Sequence, residues 1–152
     1  MEARINFYYA FVYPYLSYNI SIWGNSHEDT LKPLVIAQKR VVRCLADAEY
    51  NAHTSPLFKK YQLLKFEDIV EYVLCIYMYK SIKAHKFNPA RRANTRNQND
   101  IRTSFQRLTM CQQAVSYTGP RSWNRLPEAL KQIKTIGTFK KKLKIHFISK
   151  YE

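Results

Sequence analysis

Apolar residues along this chain fall into helical periods separated by polar breaks. From Leu31 to Ala46, the side chains of Leu31, Leu34, Val35, Val41, Val42 and Leu45 share one face at a spacing of about 3.6 residues, which predicts an amphipathic helix. From Glu67 to about Lys83, Ile69, Val70, Tyr72, Val73, Leu74, Ile76, Tyr77, Met78 and Tyr79 leave almost no polar side. A helix apolar nearly all round belongs at the centre of a core. Glu67 and Asp68 at its start, and Lys80, Lys83, His85 and Lys86 at its end, suit the two ends of the helix dipole. Phe139, Leu143, Phe147 and Tyr151 recur every four residues against Lys140, Lys141, Lys142, Lys144 and Lys150. That pattern predicts a basic amphipathic last helix, with Thr138 as its N-cap and Gly137 closing the passage before it.

The remaining stretches are less regular. Ala3 to Trp23 is expected to be helical with a kink at Pro14, because proline lacks a backbone donor and crowds the carbonyl one turn earlier. Gly24 and Asn25 punctuate its end. "HTSPLFKKYQLLKFEDI" (His53 to Ile69) reads as a turn, a short helical piece and the start of the central helix. Between Phe87 and Gln113 the apolar period is lost and arginine alternates with Asn, Thr and Gln, so a long polar loop is expected. In "SYTGPRSWNRLPEAL" (Ser116 to Leu130), Gly119 and Pro120 are expected to make a turn, Trp123 and Leu126 to anchor it, and Pro127 to open a short helix. A short strand fits only Ala114 to Tyr117. The expected architecture is mainly α: one small helical domain of about four to five helices with a long basic loop. Residues 1–84 form its core, 85–113 the arginine-rich loop, and 114–152 the turn segment with the basic C-terminal helix.

Composition changes this picture in one respect, the placement of charge. The formal net charge of +14 on 152 residues is confined to one half of the chain. Up to Tyr79, eight basic residues face eight acidic ones; from Lys80 onward, seventeen face three. A neutral, tyrosine-rich half joined to a cationic half suggests a core followed by a surface that meets a polyanion, first RNA or DNA and second an anionic membrane. Ile5 to Trp23 carries no charge, yet its asparagines, serines, five tyrosines and Pro14 make a poor membrane span. No transmembrane segment is expected.

Chemistry-bearing patterns are sparse. Cys44, Cys75 and Cys111 are widely spaced and odd in number, which fits free thiols in an intracellular protein. The four histidines make no metal-ligand spacing, so no metal and no cofactor is expected. Three glycines exclude a phosphate cradle of the Gly-rich kind. The adjacent carboxylates Glu28–Asp29 and Glu67–Asp68 sit at helix starts, where capping explains them better than two-metal catalysis. The chain is not expected to be an enzyme on its own.

Six stretches in order carry a resemblance. "YPYLSYNISIWGN" (Tyr13 to Asn25), "QKRVVRCL" (Gln38 to Leu45), "HTSPLFKKYQLLKFEDI" (His53 to Ile69), "NTRN" (Asn94 to Asn97), "SYTGPRSWNRLP" (Ser116 to Pro127) and "FKKKLKIHF" (Phe139 to Phe147) resemble the C-terminal part of LINE-type non-LTR retrotransposon reverse transcriptases. Tyr15, Trp23, Gly24, Gly119, Pro120, Trp123, Asn124, Leu126 and Pro127 are its signature positions here. The resemblance implies the thumb and the segment after it, which hold RNA template and DNA primer while a palm and fingers do the chemistry. Those domains, with their catalytic aspartates, would lie upstream in a longer protein. A start at Met1, just inside the resembling stretch, is what a 5′-truncated element copy would encode.

Charge and position then nominate contacts with RNA, DNA or their hybrid: Lys39, Arg40 and Arg43 on the amphipathic helix, Arg91, Arg92, Arg96, Arg102 and Arg107 in the loop, Arg121 after it, and Lys140, Lys141 and Lys144 on the last helix. Two rivals stand beside this reading. One is a helical protein-interaction module that uses its tyrosine-rich face; the other is a retroelement remnant without a selected role.

Overall fold

The helix with the least polar sequence is the one the others are built around. In the computed structural model, which describes residues 2–84, 100–103 and 105–151, this helix is α6 (Phe66–Lys83). Its residues Phe66, Ile69, Val70, Leu74, Cys75, Met78, Tyr79 and Ser81 are buried. Packed around it are α2 (Tyr13–Ser17), α3 (Ile20–Trp23), α4 (Glu28–Ala46), α8 (Val115–Asn124) and α10 (Ile136–Ile148). The protein is mainly helical, and no strand occurs among the described residues. The long helices α4, α6 and α10, together with the segmented N-terminal run, answer to elements expected from the sequence; α8 was not among them. Shorter pieces are α1 (Glu2–Phe7), α5 (Ser55–Lys60), α7 (Thr109–Gln113) and α9 (Glu128–Lys131).

The N-terminal run bends where its proline requires. Ahead of Pro14 the helix widens into a π-turn, Tyr8–Val12, whose wider repeat brings the Tyr13 N–H to the Tyr8 carbonyl. Past Ser17 the helix stops, because Tyr18 is extended and Asn19 is left-handed at φ 48°. Asparagine tolerates that conformation better than most residues. The Trp23 indole N–H donates to the Tyr18 carbonyl at 2.7 Å and its ring stacks on Phe66, so the break is fixed from both sides.

Two expectations about the second half need correction. Ala114 to Tyr117 forms no strand, and Gly119–Pro120 forms no turn; both lie in or against the continuous helix α8. Gly and Pro are poor in helix interiors, but here packing decides. Gly119 is buried against α6, where a Cβ would stand 2.8 Å from the Met78 sulfur. Pro120 is buried beside it. Trp123 and Leu126 are buried as expected, and Pro127 precedes α9. The last helix also starts earlier than expected: Thr135 occupies the N-cap position, Gly137 lies in the first turn, and the Thr135 and Thr138 hydroxyls hydrogen-bond at 2.8 Å.

An aromatic cluster joins α6, α8 and α10. The Tyr79 ring stacks on Phe139 at 4.6 Å, with Trp123 5.9 Å from Phe139. The Tyr79 hydroxyl donates to the Lys134 carbonyl at 2.5 Å, which fixes the passage between α9 and α10. At the other end of α10, the Tyr151 hydroxyl donates to the Asp68 carboxylate at 2.5 Å and accepts the Lys65 backbone N–H at 2.9 Å. The Lys65 ammonium lies 4.5 Å from the centre of that tyrosine ring. Burial pushes the Asp68 carboxyl above its ordinary value, while the hydrogen bond from Tyr151 pulls it back.

Two stability measurements check this packing. Gly119→Val is expected to force α8 away from Met78 and to lower unfolding free energy by about 1–3 kcal/mol, seen as an earlier denaturant midpoint; an unchanged midpoint would place α8 elsewhere. Asp68 holds its proton more tightly folded than unfolded, so its stabilising contribution is full below the ordinary value of 3.8 and is lost as pH rises through the raised one. Relative to Asp68→Asn, which cannot titrate, the wild-type chain is therefore expected to gain stability as pH falls from about 7 towards 4. Denaturant titrations of both chains across that range read the sign directly.

Candidate nucleic-acid interface

The nominated cations reach the surface from three places. On α4, Lys39 and Arg40 are exposed, whereas Arg43 is half-buried and its Nε donates to the Ala52 carbonyl at 2.9 Å. That bond ties the end of α4 to the turn after it, so Arg43 serves the fold as well as the surface. On α10, Lys140 and Lys141 are exposed, and Lys144 is partly covered. Around α8, Arg102, Arg107 and Arg121 are exposed. Arg91, Arg92 and Arg96 lie outside the described residues.

The first two places are linked through consecutive tyrosines of the π-turn. The Tyr8 hydroxyl is buried and accepts from Gln38 Nε2 at 2.8 Å, one residue before Lys39; the same amide donates to the Leu64 carbonyl at 2.9 Å. The Tyr9 hydroxyl accepts from Lys144 Nζ at 2.8 Å, and that ammonium lies 5.2 Å from the ring centre. Adjacent residues of one helical turn thus hold α4 and α10. Burial pushes the Tyr8 hydroxyl up to about 12, so it stays protonated at neutral pH. His146, on α10, is held below its ordinary value by partial burial and by Lys150, and adds no charge to this surface at neutral pH.

Electrostatics separate Lys39 from its neighbours. A groove of about 450 Å³ between α4 and α6 has Leu31, Val35, Phe66 and Val70 among its lining, with Lys32, Lys39, Glu28, Glu67 and Glu71 also bordering it. Three carboxylates beside two ammonium groups repel phosphate, so this groove is no anion site. A second groove of about 320 Å³ also has both Lys39 and Glu67 on its border. Arg40 borders neither groove. Of the nine nominated cations within the described residues, none pairs with a carboxylate of those residues. The pairs that do form use Arg4, His27, Lys32, Arg125 and Lys131.

Asn124 was nominated only as a signature residue, and the structure gives it a mechanical role. Its Nδ2 donates to the Ile101 carbonyl and its Oδ1 accepts the Ile101 N–H, both at 2.9 Å. The amide copies the two bonds that a neighbouring strand would make, and it holds the buried Ile101 against the end of α8. Beside it, the Lys131 ammonium, only 7% exposed, is shared by Asp100 at 3.2 Å, Glu128 at 2.9 Å and the Asn124 carbonyl at 3.3 Å. Lys131 is a cation spent on structure. Arg102 leaves the backbone directly after this anchored residue. Arg121 lies 5.4 Å from the Tyr117 ring centre, which orients its guanidinium along α8.

Among the described residues no group of three metal-ligating side chains converges, and no helix is long and apolar enough to cross a membrane. Burial pushes the Cys75 thiol up to about 12, which leaves it unreactive. Compared with protein-family models, curated proteins and solved structures, the chain matches none.

Replacing Asn124 with alanine removes both partners of a buried backbone unit. The expected cost is about 1–3 kcal/mol, and hydrogen exchange at the Ile101 amide is expected to accelerate at least as much as global unfolding. Unchanged protection at Ile101 would show that the clamp is idle.

Proposed function

We propose that this chain is a non-catalytic nucleic-acid-binding module, a thumb-like piece derived from a LINE-type reverse transcriptase, that grips the backbone of RNA template and DNA primer. The observation that supports it best is the set of nine exposed or half-exposed cations left without carboxylate partners among the described residues, where only Arg4, Lys32, Arg125 and Lys131 of the lysines and arginines form ion pairs. Unneutralised lysine and arginine, most of them on helices, favour a polyanion, and release of its counterions supplies the binding free energy. Phosphate contacts of this kind carry little sequence preference.

Lys140, Lys141, Lys144 and Arg40 are the preferred backbone contacts, because they stand on α10 and α4 on either side of the tyrosine pair. Arg102, Arg107 and Arg121 form a second set around α8. In a longer protein the catalytic aspartates would come from an upstream palm, and this chain would supply affinity and position.

Binding to an RNA/DNA hybrid duplex across a salt series tests the reading. Micromolar or tighter binding with a steep negative slope of log affinity against log salt is expected, and the double change Lys140→Glu and Lys141→Glu is expected to shallow that slope by about two units. Binding that is undetectable, or insensitive to salt, would remove the proposal.

A further inference from the structure

The N-terminal run carries its exposed apolar surface as rings. Before the break at Tyr18, Phe7 is 53% exposed, Phe11 61% and Tyr15 82%, and Tyr9 keeps 37%. The ring centres of Phe7 and Phe11 stand 4.9 Å apart, and those of Tyr9 and Tyr13 5.5 Å. No lysine, arginine, aspartate or glutamate occurs from Ile5 to Ser26. The margins, in contrast, are cationic. Lys144 Nζ donates to the Tyr9 hydroxyl at 2.8 Å and lies 5.2 Å from that ring's centre, which leaves two of its three N–H donors for another acceptor. Tyr8 is bonded to Gln38 on α4, two residues before the exposed Arg40. The Asp47 carboxylate, which the fold brings to the start of the run, is paired with Arg4.

We infer that these rings stack the bases of an unpaired, single-stranded segment of RNA or DNA. The inference rests on the backbone grip proposed above and adds a contact that a duplex cannot make. Aromatic faces bordered by ammonium and guanidinium groups are the combination that binds single strands without sequence preference: the rings take up bases and the cations take up phosphates. Paired bases are already stacked on one another, so only unpaired nucleotides fit Phe7, Phe11 and Tyr15. The cations also separate this occupant from a purely apolar one. An apolar partner would gain nothing from Lys144 and would take its charge out of water without compensation.

Fluorescence anisotropy with three labelled probes tests the inference: an oligothymidylate of on the order of 15 nucleotides, the same backbone with abasic residues throughout, and an RNA/DNA hybrid duplex. The oligothymidylate is expected to bind about fivefold or more tightly than the abasic strand, which has the same phosphates and no bases. Phe11→Leu and Tyr15→Leu each keep an apolar side chain and remove the ring. Both are expected to weaken oligothymidylate binding roughly 5- to 150-fold, while helical circular dichroism, salt slope and hybrid affinity stay unchanged. Tyr15→Trp is expected to retain the affinity, and Ile22→Ala, which removes apolar area but no ring, to leave it as it is. Equal binding of the two single strands, or leucine substitutions that leave the oligothymidylate unaffected or weaken the hybrid as much, overturns this inference alone and leaves the rings to a polypeptide or a lipid surface. A wild-type chain that binds none of the three probes removes the grip and the stacking contact together.

Discussion

Burial of α6 is the constraint from which the rest of this fold follows. Its apolar residues point in every direction, so no single neighbour can cover it, and the chain meets the demand with helices from both halves. α2, α3 and α4 arrive from the neutral half; α8 and α10 arrive from the cationic half. The approach of α8 to α6 needs a residue without a side chain at Gly119 to seat Met78. A helix that must be covered thus brings basic and neutral segments together, and the lysines of α10 face outward because Phe139, Leu143 and Phe147 must face α6 and its neighbours.

The tyrosines do the joining. Tyr8, Tyr9, Tyr79 and Tyr151 each present a ring to apolar surface and a hydroxyl to a defined partner: Gln38, Lys144, the Lys134 carbonyl and Asp68. In each case the partner lies in another element. These four tyrosines close the structure with directed hydrogen bonds as well as by area. The same bonds orient the cations: Lys144 stands on α10 at a position that a tyrosine 135 residues away determines.

Periodicity made the helices around α4, α6 and α10 legible, along with the buried face of α10; of the N-terminal run it showed the helix, while the π-turn before Pro14 and the break at Tyr18–Asn19 came from the structure. The legible parts are local properties of the sequence. What was not legible is long-range. Gly119–Pro120 reads as a turn because both residues disfavour helix locally, and only the contact with Met78 reverses that preference. Asn124 stands out as part of a signature, but nothing near it in sequence points to Ile101 as its partner. Lys131 looks like any surface lysine until Asp100 and Glu128 are found around it. For the candidate interface, the sequence identified cations; the structure separated those bound into the fold, such as Arg43, from those left unpaired.

The bond between Tyr151 and Asp68 has a consequence in time. The start of α6 is synthesised early, yet its hydroxyl partner and the ring that packs on Phe58 come from the last turn of the chain. During synthesis α6 therefore waits, with Met78 and Tyr79 lacking their full cover, until α8 and then α10 emerge from the ribosome. Pairings across such long separations are slow to close, and in the interval the nascent chain presents the apolar surface that chaperones recognise. The core around α6 is complete only when α10 and Tyr151 have joined it.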